Sequence, residues 1–358
     1  MNKRILIHVG PPKSGTSAIQ LALLQHRDTL SQMGINYPTH GLGANGISSG
    51  NLEAILSLDC NNKWQVCEDK ISSLIAEFNN STQHTLLLSS EYFFYLAKEI
   101  AVLIPQAKFI AYVRCPIDTY ESSYNQSIKR HMNCGPAEFS KNLHTTTLNI
   151  LSEAVEVIGS KKFILRAYLP FSEDGFDILK DFCTVLDISN LQVTKYSTNS
   201  SYAFEALEFK RWINQFSLLN LDTLLDEVLQ EYSRGKEHFS LLPPTLFENY
   251  QKQALTSIRD FVNSNRVYNA KELIAYIQKR TSLPHKSQLI SDTEFEKICE
   301  FLKNSHPVIF KEIGIALNKV QNTCSLQAPH RIKIFLTKYQ LKRGFISKLG
   351  TALNSIKR

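Results

Sequence analysis

The chain has 358 residues, of which 43% are hydrophobic, 20% charged and 10% aromatic, a balance that excludes a disordered chain. No run of about 18 apolar residues marks a membrane-spanning helix. The formal net charge is +7, but eight cations and no acidic residue lie between Gln321 and Arg358, so the rest of the chain is close to neutral. That excludes a nucleic-acid-binding face spread over the fold and leaves a basic tail instead.

Seven scattered cysteines, odd in number and without a C-x-x-C pair, argue against a disulfide framework or a structural zinc site. Reduced thiols fit a cytoplasmic protein. At the N-terminus, Ile5-Leu6-Ile7-His8-Val9 is too short for a signal-peptide core and runs into a glycine loop at once. It is expected to be the first buried strand, with His8 a core residue.

A helix is expected from about Ser17 to Thr29, its apolar positions suited to packing on a sheet. The polar, glycine-rich stretch from Pro38 to Asn51 reads as a loop of the kind that covers sites. Ser72 to Phe78 continues a second helix. Three further buried strands are expected at 85–89, 108–113 and 162–166, separated by helices. Continuous apolar strands alternating with helices predict an α/β fold with a central parallel sheet in a three-layer core. After Ser201 the strands stop, and helices are expected over 202–219, 221–232, 245–263, 270–280 and 292–319, a helical C-terminal half. The expected organisation is one domain over 1–320, with a ligand-binding core over 1–200 and a helical part over 201–320, followed by a basic amphipathic tail over 321–358.

Gly10-Pro11-Pro12-Lys13-Ser14-Gly15-Thr16-Ser17 follows the first strand. Gly10, Gly15 and Ser17 match the G-x-x-x-x-G-K-[ST] phosphate loop, but Thr16 occupies the lysine slot and Lys13 lies three residues earlier. The physics is that of an anion cradle, with backbone N–H groups converging at a helix N-terminus. Lys13, Ser14, Gly15, Thr16 and Ser17 are the candidate anion contacts. The sequence resembles the 5′-phosphosulfate loop of sulfotransferases, K-x-G-T-[ST], and the likeness runs into Ala18-Ile19-Gln20-Leu21. It implies a P-loop-type core.

The strand at 108–113 ends in Arg114-Cys115-Pro116, and Ser122 follows eight residues after the arginine. An arginine at the carboxyl end of a strand stands where ligands gather in open α/β sheets, and its guanidinium fork suits a phosphate dianion. This resembles the R-x-P…S motif with which sulfotransferases hold the 3′-phosphate of their donor. The two motifs together imply a sulfotransferase that moves a sulfuryl group from 3′-phosphoadenosine-5′-phosphosulfate to an acceptor hydroxyl. They imply adenosine 3′,5′-bisphosphate as product and no metal.

Weaker matches are the strand ending near Tyr168, the helix from Phe176 to Leu186, and the segment Tyr196 to Ser201, where Ser201 reads first as a helix N-cap. Sulfuryl transfer needs the acceptor hydroxyl to lose its proton. Glu91 ends the second strand and resembles the base of some carbohydrate sulfotransferases. His40, in the glycine-rich loop, is the second candidate. The resemblance to bacterial members implies a glycan or glycolipid precursor as acceptor.

From His330 on, apolar residues interleave with the cations. Such a segment can lie on an anionic membrane surface, bind an acidic polysaccharide or a partner enzyme, or pack on the body. Two other functions share the cradle. A kinase using ATP and Mg²⁺ is disfavoured by the displaced lysine and by the lack of a clear strand–Asp metal site. A non-catalytic nucleotide- or polysaccharide-binding protein would be set apart by turnover. Oligomeric state is not encoded legibly.

Overall fold

The computed structural model describes residues 3–42, 48–170, 176–188, 202–216, 218, 221–232, 239–319 and 327–339. The chain divides into two compact units. The first comprises residues 1–122, 140–198 and 245–281.

Among the described residues eight strands occur: β1 (Arg4–Val9), β2 (Ile35–Asn36), β3 (Leu56–Leu58), β4 (Trp64–Val66), β5 (Thr85–Ser90), β6 (Lys108–Val113), β7 (Phe163–Ala167) and β8 (Val267–Tyr268). Six form one sheet in the order β2-β5-β1-β6-β7-β8, every neighbouring pair parallel. This is the expected α/β fold with a central parallel sheet. Both faces are covered, since adjacent residues of β1, Ile5, Leu6, Ile7 and His8, are all buried. Such burial explains why these strands read as continuous apolar runs.

One face packs Leu6, Leu87, Ile110 and Tyr112 against Ile19 and Leu23 of the helix Thr16–Gln25 and Leu179 and Phe182 of the helix Ile178–Leu186. Asp181 anchors the second helix, accepting from the Tyr112 hydroxyl at 2.8 Å and pairing with Arg166 at 2.5 Å.

Several elements differ from expectation. The first helix ends at Gln25, and a separate turn of helix, Arg27–Gln32, follows His26. Strands do not stop at Ser201: β8 joins the sheet edge beside β7. With two residues inside a helical run it carries no periodicity to read. The β3–β4 hairpin has only three residues in each strand, too few to show an alternating pattern. The long helix over 292–319 is two, Asp292–Ser305 and Pro307–Lys319, because Pro307 cannot supply a continuing N–H.

The second unit comprises residues 123–139, 199–244 and 282–358. Its core gathers Phe209, Trp212, Phe295, Phe310, Phe335 and Tyr339. Residues 330–339 are helical, and Ile332, Phe335, Leu336 and Tyr339 are buried. Gly314 admits the Tyr339 ring, which would lie 2.6 Å from a Cβ at that position. Arg331 pairs with Asp292 and Lys338 with Glu300. Residues 330–339 of the basic tail are therefore core structure. Residues 340–358, and the segment 189–201 with Ser201, lie outside the described residues. Among the described residues no helix is long and apolar enough to cross a membrane.

Candidate functional site

The site lies at the carboxyl ends of the three adjacent strands β5, β1 and β6. Val9 pairs with Ser90 across β1 and β5, and Gly10 N–H donates to the Ser90 carbonyl at 3.3 Å. The loop after β1, Glu91 after β5 and Arg114 after β6 thus emerge side by side, where open α/β sheets bind ligands.

Pro11 to Ser14 forms a tight turn, closed by Ser14 N–H donating to the Pro11 carbonyl at 3.2 Å. Lys13 occupies the third position with φ 69°, a left-handed conformation costly for a residue with a side chain. The buried Ser14 hydroxyl also donates to the Pro11 carbonyl, at 2.6 Å, and braces the turn. Gly15, at φ 79° and ψ 13°, starts the helix Thr16–Gln25. A Cβ at Gly15 would lie 3.2 Å from Tyr168 and from Ile178. At Gly10 it would lie 2.3 Å from the Thr16 side chain. Both glycines are thus required by close approach and, at Gly15, by φ.

Arg114 turns back onto the loop. Its Nη1 donates to the Lys13 carbonyl oxygen, and its guanidinium lies 4.9 Å from the centre of the Tyr168 ring, a cation–π distance. Arg114 Nε is buried without a hydrogen-bond partner. Tyr168 follows β7 and continues the ladder, its N–H donating to the Val113 carbonyl at 2.8 Å. It touches both the loop and the arginine, a role the sequence hinted at only through a tyrosine after a strand.

Ser122 stands on the helix Pro116–Arg130, partly exposed. Asp118, one turn earlier, pairs with Arg280 at 3.0 Å and accepts from the Tyr276 hydroxyl at 2.8 Å, while Glu121 lies 3.6 Å from Arg280. Arg280 therefore offsets the two carboxylates nearest to Ser122 on this helix. Sequence gave no local signal for this, because Tyr276 and Arg280 arrive about 160 residues later.

Glu91 precedes the short helix Tyr92–Tyr95 and is partly buried. Its charge helps hold the Tyr95 hydroxyl above its usual range, after burial as the larger cause. Ser90 Oγ donates to the Ser49 carbonyl at 2.8 Å, which ties the start of this segment to the glycine-rich stretch. His40 lies in that stretch, partly buried, with Nε2 2.6 Å from Ser48 Oγ. Burial pulls its pKa below the usual value, with the Pro38 backbone opposing. His8 is fully buried, bonded through Nδ1 to Ser89 Oγ at 2.8 Å, and burial depresses its pKa to about 3. Among the described residues no three His, Cys, Asp or Glu side chains are grouped to hold a metal ion.

No family model and no curated protein sequence matches the chain. Among solved structures it is similar to a sulfotransferase from Alicyclobacillus acidocaldarius, at 17% identity, over 66% of this chain and 100% of that one, with a TM-score of 0.32.

Proposed function

We propose that this chain is a sulfotransferase that moves the sulfuryl group of 3′-phosphoadenosine-5′-phosphosulfate to an acceptor hydroxyl. The observation that carries this is the hydrogen bond from Arg114 to the Lys13 carbonyl, which joins the two anion motifs. A loop offering helix N-terminal N–H groups, a lysine and a nearby guanidinium suits a ligand with two separate anionic ends. The orphaned Arg114 Nε is a buried donor awaiting an acceptor.

Lys13, Ser14, Gly15, Thr16 and Ser17 would hold the 5′-phosphosulfate end, and Arg114 with Ser122 the 3′-phosphate. As the bridging S–O bond breaks, charge grows on the leaving phosphate oxygen, and Lys13 stabilises it. Glu91 takes the acceptor proton, with His40 the second candidate. Motif resemblance points to a sugar hydroxyl, on a glycan or glycolipid precursor, as acceptor. The chemistry needs no divalent metal.

The test is product formation from labelled donor in the presence of EDTA. Formation of adenosine 3′,5′-bisphosphate that EDTA leaves unchanged is the expected result. ATP turnover that EDTA abolishes and Mg²⁺ restores would establish a kinase instead.

A further inference from the structure

Four buried polar atoms of one neighbourhood have no hydrogen-bond partner among the described residues: Gln20 Oε1, Gln20 Nε2, the Tyr37 hydroxyl oxygen and His40 Nδ1. Gln20 is 0% and Tyr37 1% exposed. Buried polar groups are nearly always bonded, so an unbonded set marks a place for something that bonds it. Gln20 lies one helical turn beyond Thr16, and helical side chains lean toward the N-terminus, so its amide is directed back to the loop end.

The surroundings form one connected group. A Cβ at Gly50 would lie 2.9 Å from Gln20 Nε2 and 1.8 Å from the Ser89 carbonyl oxygen. Only a glycine lets the chain pass there. Gly50 N–H donates to Ser48 Oγ at 3.0 Å, Ser48 bonds His40, and the His40 ring meets the Tyr37 ring edge-on at 5.7 Å. Asn51 pins this segment to β5, accepting from Ser89 N–H at 2.8 Å and donating to the Leu87 and Pro38 carbonyls. Ser48, Asn51 and Ser89 are thereby bonded to their own surroundings. The Gln20 amide, the Tyr37 phenol and His40 Nδ1 are left over, a donor–acceptor pair, a hydroxyl and a ring nitrogen.

We infer that Gln20 and Tyr37 line the seat of the acceptor hydroxyl. This rests on the sulfuryl-transfer function proposed above. A neutral O–H group both donates and accepts, which complements a primary amide and a phenol. A charged group is not matched there, since none of Gln20, Tyr37, Ser48 and Asn51 is an ion. In the reaction the hydroxyl oxygen forms the new O–S bond. The bridging S–O bond breaks, its electron pair leaves on adenosine 3′,5′-bisphosphate, and the proton passes to Glu91 or His40. His40 bonds Ser48, and Glu91 follows Ser90, which bonds Ser49, so both candidates belong to the segments tied together here.

The experiment uses the full chain and two variants, Gln20→Leu and Tyr37→Phe, with three readouts. These are thermal midpoint, affinity for adenosine 3′,5′-bisphosphate, and transfer from labelled donor to water and to added glycerol. Each variant removes orphaned polar atoms and leaves shape, so the midpoint should stay level or rise. Transfer should fall about threefold to tenfold, the scale of one hydrogen bond to the reacting group. Nucleotide affinity should change by less than about twofold. A lowered midpoint in both variants would mean that structural water fills the cluster, and would overturn the proposal whatever the rate. Unchanged transfer, or no transfer by the wild-type protein while it binds the nucleotide, would also overturn it. Failure of the wild-type protein to bind adenosine 3′,5′-bisphosphate would instead remove the donor assignment.

Discussion

Arg114 donates to the carbonyl oxygen of Lys13, 101 positions away in sequence. That bond links the end of β6 to the strained turn after β1. It makes Arg114 at once a ligand candidate and the support of the residue that carries the loop's ammonium group.

The left-handed backbone of Lys13 has a measurable consequence. Lys13→Gly and Lys13→Ala both remove the ammonium group, and both should lower kcat by about 10²-fold or more. They should differ in stability, with the glycine variant about 1 kcal/mol more stable, because only glycine adopts φ 69° without strain. Urea denaturation of the two variants checks this. Equal stability would mean that the turn relaxes in solution.

Proton removal distinguishes Glu91 from His40. Glu91→Gln keeps the shape and removes the basicity, so it should cost ~10²–10⁴ in kcat while donor affinity holds. If His40 is the base, His40→Ala carries that loss instead. The acid limb of the wild-type profile then lies below pH 6.5, since burial lowers the His40 pKa. Pre-steady-state rates of both variants across pH decide between them.

His8 should make stability depend on pH. Its folded pKa is depressed to about 3, against about 6.5 in the unfolded chain. The unfolded state therefore binds a proton that the folded state refuses, and stability present above pH 6.5 is lost as pH falls. Between pH 7 and pH 5 the loss from this residue is about 2 kcal/mol. His8→Gln can still bond Ser89 and does not titrate, so its stability should fall less over that range. Parallel losses in both proteins would contradict the assignment.

Where the tail is cut matters. Deleting residues 340–358 leaves Phe335 and Tyr339 in place and should preserve folding and turnover while weakening salt-sensitive binding to anionic vesicles. Deleting from Gln321 strips those aromatic residues from the second unit's core. It should cost at least the ~3–5 kcal/mol of a lost buried aromatic. Vesicle sedimentation and thermal melts of the two truncations read this directly.

The parallel sheet was legible because strands buried on both faces are unbroken apolar runs, as at Leu86-Leu87-Leu88 and Phe109-Ile110-Ala111. The anion loop was legible because Gly10, Lys13 and Gly15 are local in sequence. Arg280, Tyr276 and Tyr168 complete the candidate site from distant segments, and an arginine just past a helix end says nothing of which carboxylate it will offset. Gln20 was visible only as a helix residue within the likeness Ala18-Ile19-Gln20-Leu21, since a missing hydrogen bond exists only once the chain has folded around it. The tail stayed open between packing on the body and binding a partner for the opposite reason. Its cations were plain in the sequence, while the partners of Arg331 and Lys338 lie on another helix.

The central claim is tested most directly by equilibrium binding of adenosine 3′,5′-bisphosphate and of adenosine 5′-monophosphate to the wild-type protein and to Arg114→Ala. A hydrogen bond to a charged group is worth ~1.5–3 kcal/mol. The wild-type protein should thus bind the bisphosphate at least ~10-fold more tightly than the monophosphate, and Arg114→Ala should erase most of that difference. Equal affinity of the wild-type protein for the two nucleotides, or equal loss of both in the variant, would contradict the donor assignment.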